Sequence, residues 1–180
     1  QWIFLYGEII SLRNDEKEKY NPSGWTTWIW FYWWTPEIII INDGSTDNSD
    51  KIIKDFITKY ESQPKTAKTI VYHYKENGGK GMALNQGIKL SSGEIIITID
   101  ADSITEHNAV EKFVNRFADP KVMAAVGNVK IGNTSSVITT IQYLEFLFSF
   151  YFKRADSLFG SIYIIGGAAA AFRKEVFDQL

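Results

Sequence analysis

The sequence predicts an α/β protein, built as a doubly wound, mostly parallel sheet flanked by helices. Three observations carry that expectation. The runs E-I-I-I-I-N, Glu37 to Asn42, and E-I-I-I-T-I-D, Glu94 to Asp100, are β-branched and apolar at consecutive positions, as strands are when helices cover both faces of a parallel sheet. Segments with apolar residues at helical spacing lie between and after them. Both runs end in acidic loops, at the strand ends where open α/β sheets bind ligands.

In chain order, the first helix is predicted from Asp50 to Tyr60, where Ile52, Ile53, Phe56, Ile57 and Tyr60 recur at helical spacing. A strand follows from Thr69 to Tyr74, then a helix from Met82 to Leu90. Beyond the second isoleucine run come a helix near Ala109 to Phe117, a strand near Val122 to Gly127, and a longer aromatic helix from Val137 to about Arg154. The alternation predicts right-handed crossovers. The 180 residues suffice for one core and are too few for two ordinary domains, so residues 1–180 read as one domain.

Composition narrows the function classes. With 45% hydrophobic and 22% charged residues, the chain is globular in type, neither disordered nor fibrous. A net charge of −2 leaves no basic surplus to displace counterions from nucleic acid, which is excluded as a partner. The absence of cysteine rules out a disulfide scaffold, a thiolate zinc site and a cysteine nucleophile. The start at Gln1 shows no signal-peptide pattern. Val137 to Phe152 is interrupted by Thr139, Thr140, Gln142 and Glu145 and falls short of the ~20 apolar residues of a membrane-spanning helix.

The I-D-A-D segment places Asp100 and Asp102 two residues apart at a strand end. If the strand geometry persists that far, both carboxylates point to one side. Two anions roughly 5 Å apart repel by about 3 kcal/mol at an effective dielectric of 20, so the pair favours a cation, and hard oxygen donors suit Mg²⁺ or Mn²⁺. The same aspartates also serve simply to solvate a turn. In N-D-G-S-T-D-N-S, Asn42 to Ser49, Gly44 suits the turn and Asp47 the helix start. Asp43 needs no such structural role, and its carboxylate can accept from the imide N–H of a uracil.

Asn77 to Gly87, N-G-G-K-G-M-A-L-N-Q-G, follows a strand and opens a helix, as phosphate loops do. A P-loop requires Ser or Thr after Gly-Lys, whereas Gly81 follows Lys80; a dinucleotide fingerprint requires Gly or Ala where Leu84 stands. What remains is a tight loop whose Lys80 reaches a phosphate or base, with Asn85 behind it, or a solvated lysine in a turn. His73 and His107 are too few for a histidine metal site.

Together E-I-I-I-I-N-D-G-S-T-D, N-G-G-K-G-M-A-L-N-Q-G and I-I-I-T-I-D-A-D-S resemble, in order and spacing, the family 2 glycosyltransferases with the Rossmann-like GT-A fold. The later V-G-N-V-K-I-G-N, I-Q-Y-L-E-F, F-K-R and G-G-A-A-A-A-F-R-K-E-V-F are similar to the processive membrane-bound branch, which includes poly-N-acetylglucosamine, chitin-oligosaccharide and hyaluronan synthases. The resemblance implies inverting transfer from a UDP-sugar, with UDP-GlcNAc the first expectation, to a saccharide acceptor, by a parent protein at the cytoplasmic face of a membrane. It implies that Asp43 contacts uracil, Lys80 supports the nucleotide, Asp100 and Asp102 carry the nucleotide-sugar and metal, and Gly166, Gly167, Ala168 and Arg173 lie near the acceptor.

Where the family has Pro-Ala-Tyr-Asn-Glu-Glu after its first strand, this chain has I-I-S-L-R-N-D-E, Ile9 to Glu16, which makes Asn14 and Asp15 the corresponding nucleotide contacts. The next family helix is replaced by a segment carrying Trp25, Trp28, Trp30, Trp33 and Trp34. These surround almost every face of a helix, so an exposed apolar patch is expected there. The family's general base lies beyond the F-R-K-E-V-F segment, and its motif does not occur before Leu180; no catalytic residue is expected within these residues. Two functions follow: sugar transfer by a longer synthase, or donor binding without turnover.

Overall fold

The computed structural model describes residues 8–14, 34–62, 69–132, 136–166 and 168–179. Its strands are β1 (Glu8–Asn14), β2 (Trp34–Asp43), β3 (Thr69–Lys75), β4 (Ile95–Ile99), β5 (Ala124–Val126) and β6 (Ala169–Arg173). The helices are α1 (Ser49–Glu61), α2 (Lys80–Leu90), α3 (Ala109–Arg116) and α4 (Val137–Leu158), with a short 3₁₀ helix at Lys174–Gln179. The strands form one sheet in the order β3-β2-β1-β4-β6-β5.

The isoleucine runs of β2 and β4 flank β1 in this sheet, and both are largely buried because they are apolar at nearly every position, with Thr98 the exception in β4. In β4, Ile95, Ile97 and Ile99 pack with Val114 and Phe117 at the α3 end and with Ala171 of β6, while the intervening Ile96 joins Ile39 and Ile41 of β2 and Ala83 of α2. Successive strand residues face opposite ways, so these two clusters are the two faces of the sheet. Burying each isoleucine contributes about 1.5–3 kcal/mol; β4 alone has four that are buried.

The α/β class is the one expected, and the strands linked through helices run in one direction. β2 and β3 pair in parallel. β1 is antiparallel to both β2 and β4, so β2 and β4 are aligned, and β5 joins them because β6 is antiparallel to each of its neighbours, β4 and β5. The antiparallel strands are thus β1 and β6, neither of them among the elements of the predicted helix-linked alternation. β6 is mostly alanine, a weak strand former; it forms a strand because it fills the space between β4 and β5, with Ala170 and Ala171 wholly buried.

α4 projects from this core. It begins with a capping box in which Ser136 and Thr139 exchange side-chain and backbone hydrogen bonds, and none of its residues is buried. Among the described residues, no helix is long and apolar enough to cross a membrane. Trp34 opens β2, whereas Trp25, Trp28, Trp30 and Trp33 lie outside the described residues, as does Asp15.

Candidate functional site

Because β2, β3 and β4 share a direction, their carboxyl ends share one rim. Asp43 closes β2 directly opposite Lys75, the last residue of β3. Asp43 is only 3% exposed, and its carboxylate is enclosed by donors: the Lys75 ammonium and the Gly78 amide on Oδ1, the amide at 3.0 Å, and the Gly79 amide on Oδ2 at 2.8 Å. Burial pushes the Asp43 pKa up, but the Lys75 contact and the two amides outweigh it and hold the carboxyl below its ordinary value.

The turn after Asp43 is shaped to the same loop. Gly44 has φ +74, and a Cβ there would lie 2.7 Å from the backbone nitrogen of Asn77. The wholly buried Asn42 accepts from the Ser45 amide at 2.9 Å and donates to the Tyr72 hydroxyl at 2.9 Å, which in turn donates to Asp50 at 2.7 Å. Burial, followed by the Asp50 contact, raises the Tyr72 hydroxyl to about 12, so it stays a protonated donor. Asp47 accepts from the Ser49 amide at 3.0 Å at the start of α1, the helix-start role its position suggested.

From Gly79, the residue preceding α2, the chain leads directly into Lys80. Its ammonium donates to Asp100 Oδ1 at 2.6 Å, joining the glycine-rich loop to the end of β4. Both partners are partly exposed, so this pair adds at most about 1 kcal/mol of stability and matters as placement. The Asp100 amide donates to the Ala168 carbonyl at 3.4 Å. Asp43, Lys80, Asp100 and Ala168 therefore occupy one rim, bridged by side-chain and backbone contacts.

Asp102 is placed differently from the strand geometry considered above. β4 ends at Ile99, and the Ser103 amide donates to the Asp100 carbonyl at 2.9 Å, so Asp100–Ser103 is a turn and Asp102 is exposed on it. Any shared direction of the two carboxylates comes from this turn, since the pleat has already ended.

Two expected positions lie at the far end of the sheet. Asn14 pairs with Trp34 at the start of β2, because β1 runs antiparallel; it is separated from Asp43 by the length of that strand. Arg173 pairs with Ile95 at the start of β4. Its guanidinium donates to the carbonyls of Val122 at 2.9 Å, Phe117 at 2.8 Å and Asp119 at 3.1 Å, and it stacks 5.5 Å from the Phe117 ring. It ties the end of α3 to the sheet and is remote from Ala168. Gly167 lies outside the described residues; Gly166 lies beside Lys153 of α4.

Arg173→Met should therefore lower stability by about 2–4 kcal/mol, because three carbonyls lose a charged donor, and leave nucleotide affinity unchanged. Urea unfolding alongside calorimetric titration checks both halves; weakened nucleotide binding in a variant that still folds would return Arg173 to the binding rim.

Lys75 escaped the sequence reading because its partner is 32 residues away and no motif marks it. Only its place at the end of a strand, beside another strand ending in Asp43, could have suggested the pairing.

The site residues fit a divalent cation that is completed by a ligand. Among the described residues, no three His, Asp or Glu side chains gather to hold a metal by themselves, but Asp100 already carries a cation, the Lys80 ammonium, and Asp102 is an exposed oxygen donor two residues on. Mg²⁺ and its relatives are commonly bound by one or two carboxylates together with phosphate oxygens and water.

Comparison with known proteins gives this geometry its context. The model of the family described as "Glycosyl transferase family 2" matches residues 32–180. A poly-beta-1,6-N-acetyl-D-glucosamine synthase of Staphylococcus epidermidis is 38% identical over 146 residues, 80% of this chain and 34% of that protein. The synthase of Staphylococcus aureus strain COL is 38% identical over 140 residues, 77% of this chain and 32% of the relative. The chain thus spans about a third of the length of these curated relatives. Among solved structures, a mannosyltransferase from Pyrobaculum calidifontis in complex with GDP-Man and Mn²⁺ superposes with a TM-score of 0.56 at 25% identity, covering 78% of this chain and 36% of that one.

Proposed function

The chain belongs to glycosyl transferase family 2 and has its GT-A fold, and on that premise we propose that it is the donor-binding part of a metal-dependent enzyme that transfers N-acetylglucosamine from UDP-GlcNAc, with inversion, to a growing polysaccharide. The observation that carries this reading is the single rim on which Asp43, the glycine-rich loop, Lys80 and Asp100 meet. A nucleoside diphosphate needs cations for its phosphates and a shaped backbone for its approach, and this rim supplies both.

In this reading Lys80, at the start of α2, turns from Asp100 to the diphosphate, a move its half-exposed side chain permits. The open amides at the start of a helix favour the same anionic group. Asp100 and Asp102 would hold Mg²⁺ or Mn²⁺, whose charge stabilises the departing diphosphate when bound. Ala168, whose carbonyl accepts from the Asp100 amide, would lie on the acceptor side, and Gly166 and Gly167 keep that role from the motif resemblance alone. The similarity to poly-N-acetylglucosamine synthases supports the sugar and the saccharide acceptor; a parent protein acting at the cytoplasmic face of a membrane is part of the same proposal and rests on the likeness of the later motifs to the membrane-bound branch. The Mn²⁺ in the mannosyltransferase complex supports the metal.

Titration of the chain with UDP-GlcNAc, UDP-glucose and GDP-mannose in the presence of Mn²⁺ tests the donor. UDP-GlcNAc is expected to bind most tightly. Tighter binding of GDP-mannose, the donor of the archaeal neighbour, would overturn the uridine assignment.

A further inference from the structure

Lys75 is a cation on the rim beyond the one that meets the diphosphate. It ends β3 directly opposite Asp43, and its ammonium donates to Asp43 Oδ1 and, at 2.6 Å, to the Glu76 carbonyl. An ammonium has three protons to donate, so these two contacts leave the third for a ligand. The Lys75 side chain is 20% exposed and that of Asp43 is 2% exposed; of the pair, the lysine is the one that solvent reaches more readily.

The partners of Asp43 differ in how firmly they are held. An ionised carboxylate offers about four acceptor positions. The Gly78 and Gly79 amides fill one on each oxygen, and both belong to a loop whose Asn77 rests against Gly44 with no room for a Cβ between them. Lys75 fills a third position, on Oδ1, from the end of a flexible four-carbon stem. One position on Oδ2 stays open, and the one on Oδ1 is freed when the ammonium moves. An N–H that donates to Asp43 therefore arrives beside an ammonium that can turn toward its neighbour.

That neighbour depends on the base. Uracil carries its N3–H next to the O4 carbonyl, whereas cytosine has an unprotonated ring nitrogen and an amino group at the same two places. A carboxylate beside an ammonium matches both uracil groups and neither of the cytosine groups, which would leave the buried charges facing the wrong partners. We propose that Lys75 is a second reader of the base: where Asp43 accepts from the uracil N3–H, the Lys75 ammonium donates to the adjacent O4 and so sets uridine apart from cytidine. This deepens the UDP-sugar reading of the rim and rests on it. Guanine also has a carbonyl beside a ring N–H, so cytosine is the comparison that isolates Lys75.

The test is calorimetry of wild type and Lys75→Met with UDP, CDP and 4-thio-UDP in Mn²⁺. Methionine keeps the stem of the lysine without its donor; 4-thio-UDP keeps the N3–H but puts sulfur, a weak acceptor, in place of O4. UDP affinity should fall about tenfold in Lys75→Met, as for loss of a charged hydrogen bond, while CDP affinity stays within about threefold, so the preference for UDP shrinks. Wild type should bind 4-thio-UDP about fivefold more weakly than UDP, and the variant should bind the two alike. UDP and CDP affinities falling by the same factor would reduce Lys75 to a support of the loop and overturn the proposal. Equal binding of UDP and 4-thio-UDP by wild type would overturn it as well, and this comparison decides alone if Lys75→Met does not fold. Failure of wild type to bind UDP or CDP would remove the nucleotide-sugar reading itself, and the role of Lys75 with it.

Discussion

Asp102→Ala is expected to weaken UDP binding in the presence of Mn²⁺ by about a hundredfold, some 2.7 kcal/mol, and to change nothing when a chelator is present. The residue is exposed on the turn after β4, so its truncation leaves no cavity, and the stability of the fold should stay within about 0.5 kcal/mol of wild type. That isolates the metal contribution: a carboxylate and a diphosphate that share a cation lose their mutual attraction when either the carboxylate or the cation is withdrawn. Calorimetric titration of wild type and variant, each with Mn²⁺ and with chelator, gives the four affinities required. The two losses should not add. Equal affinity of the wild type in both conditions would remove the metal from the site, and a chelator-independent effect of Asp102→Ala would assign that carboxylate another role.

Gly44→Ala should have the largest effect on stability of any single methyl addition at the rim. Its φ of +74 is unfavourable for a residue with a Cβ, at a cost of about 1–2 kcal/mol. The new Cβ would also lie 2.7 Å from the Asn77 backbone nitrogen, and a backbone atom cannot rotate aside as a side-chain end can. The loop must shift, which strains its contacts with Asp43. A total of about 3 kcal/mol is expected, or a melting temperature lower by roughly 6–12 °C, together with weaker nucleotide binding. Gly81→Ala is the control: it lies within α2, nothing stands within 4 Å of its Cβ, and alanine is the better helix former by about 1 kcal/mol. A Gly44 variant as stable as the Gly81 variant would show that the loop does not press on the β2 turn.

Much of the scaffold is legible in the residues themselves. Ile38 to Ile41 and Ile95 to Ile97 can be satisfied only where apolar groups cover both faces, and Ile39 to Ile41 of β2 and Ile95 to Ile97 of β4 are buried accordingly. The helices after them show in apolar spacing, and the acidic or glycine-rich character of the loops marks the rim before any coordinate does. β6 was hidden because alanine carries little strand preference, and its pairing depends on the width left between β4 and β5. The Arg173 role was hidden because its carbonyl partners lie 51 to 56 residues away, and an arginine beside a glycine-rich segment looks the same whichever end of a strand it occupies.

By itself the sequence determined the α/β class, the places of the main helix-linked elements, and the family, since burial pattern and motif spacing are properties of short stretches of chain. Tertiary structure alone decided the direction of β1, which carries Asn14 away from the rim, and the enclosure of Asp43 by Lys75 and two glycine amides. The physical reason is that a hydrophobic period is local, whereas the partner of a carboxylate is whatever donor the strand order brings beside it. Here that donor stands at the end of the neighbouring strand.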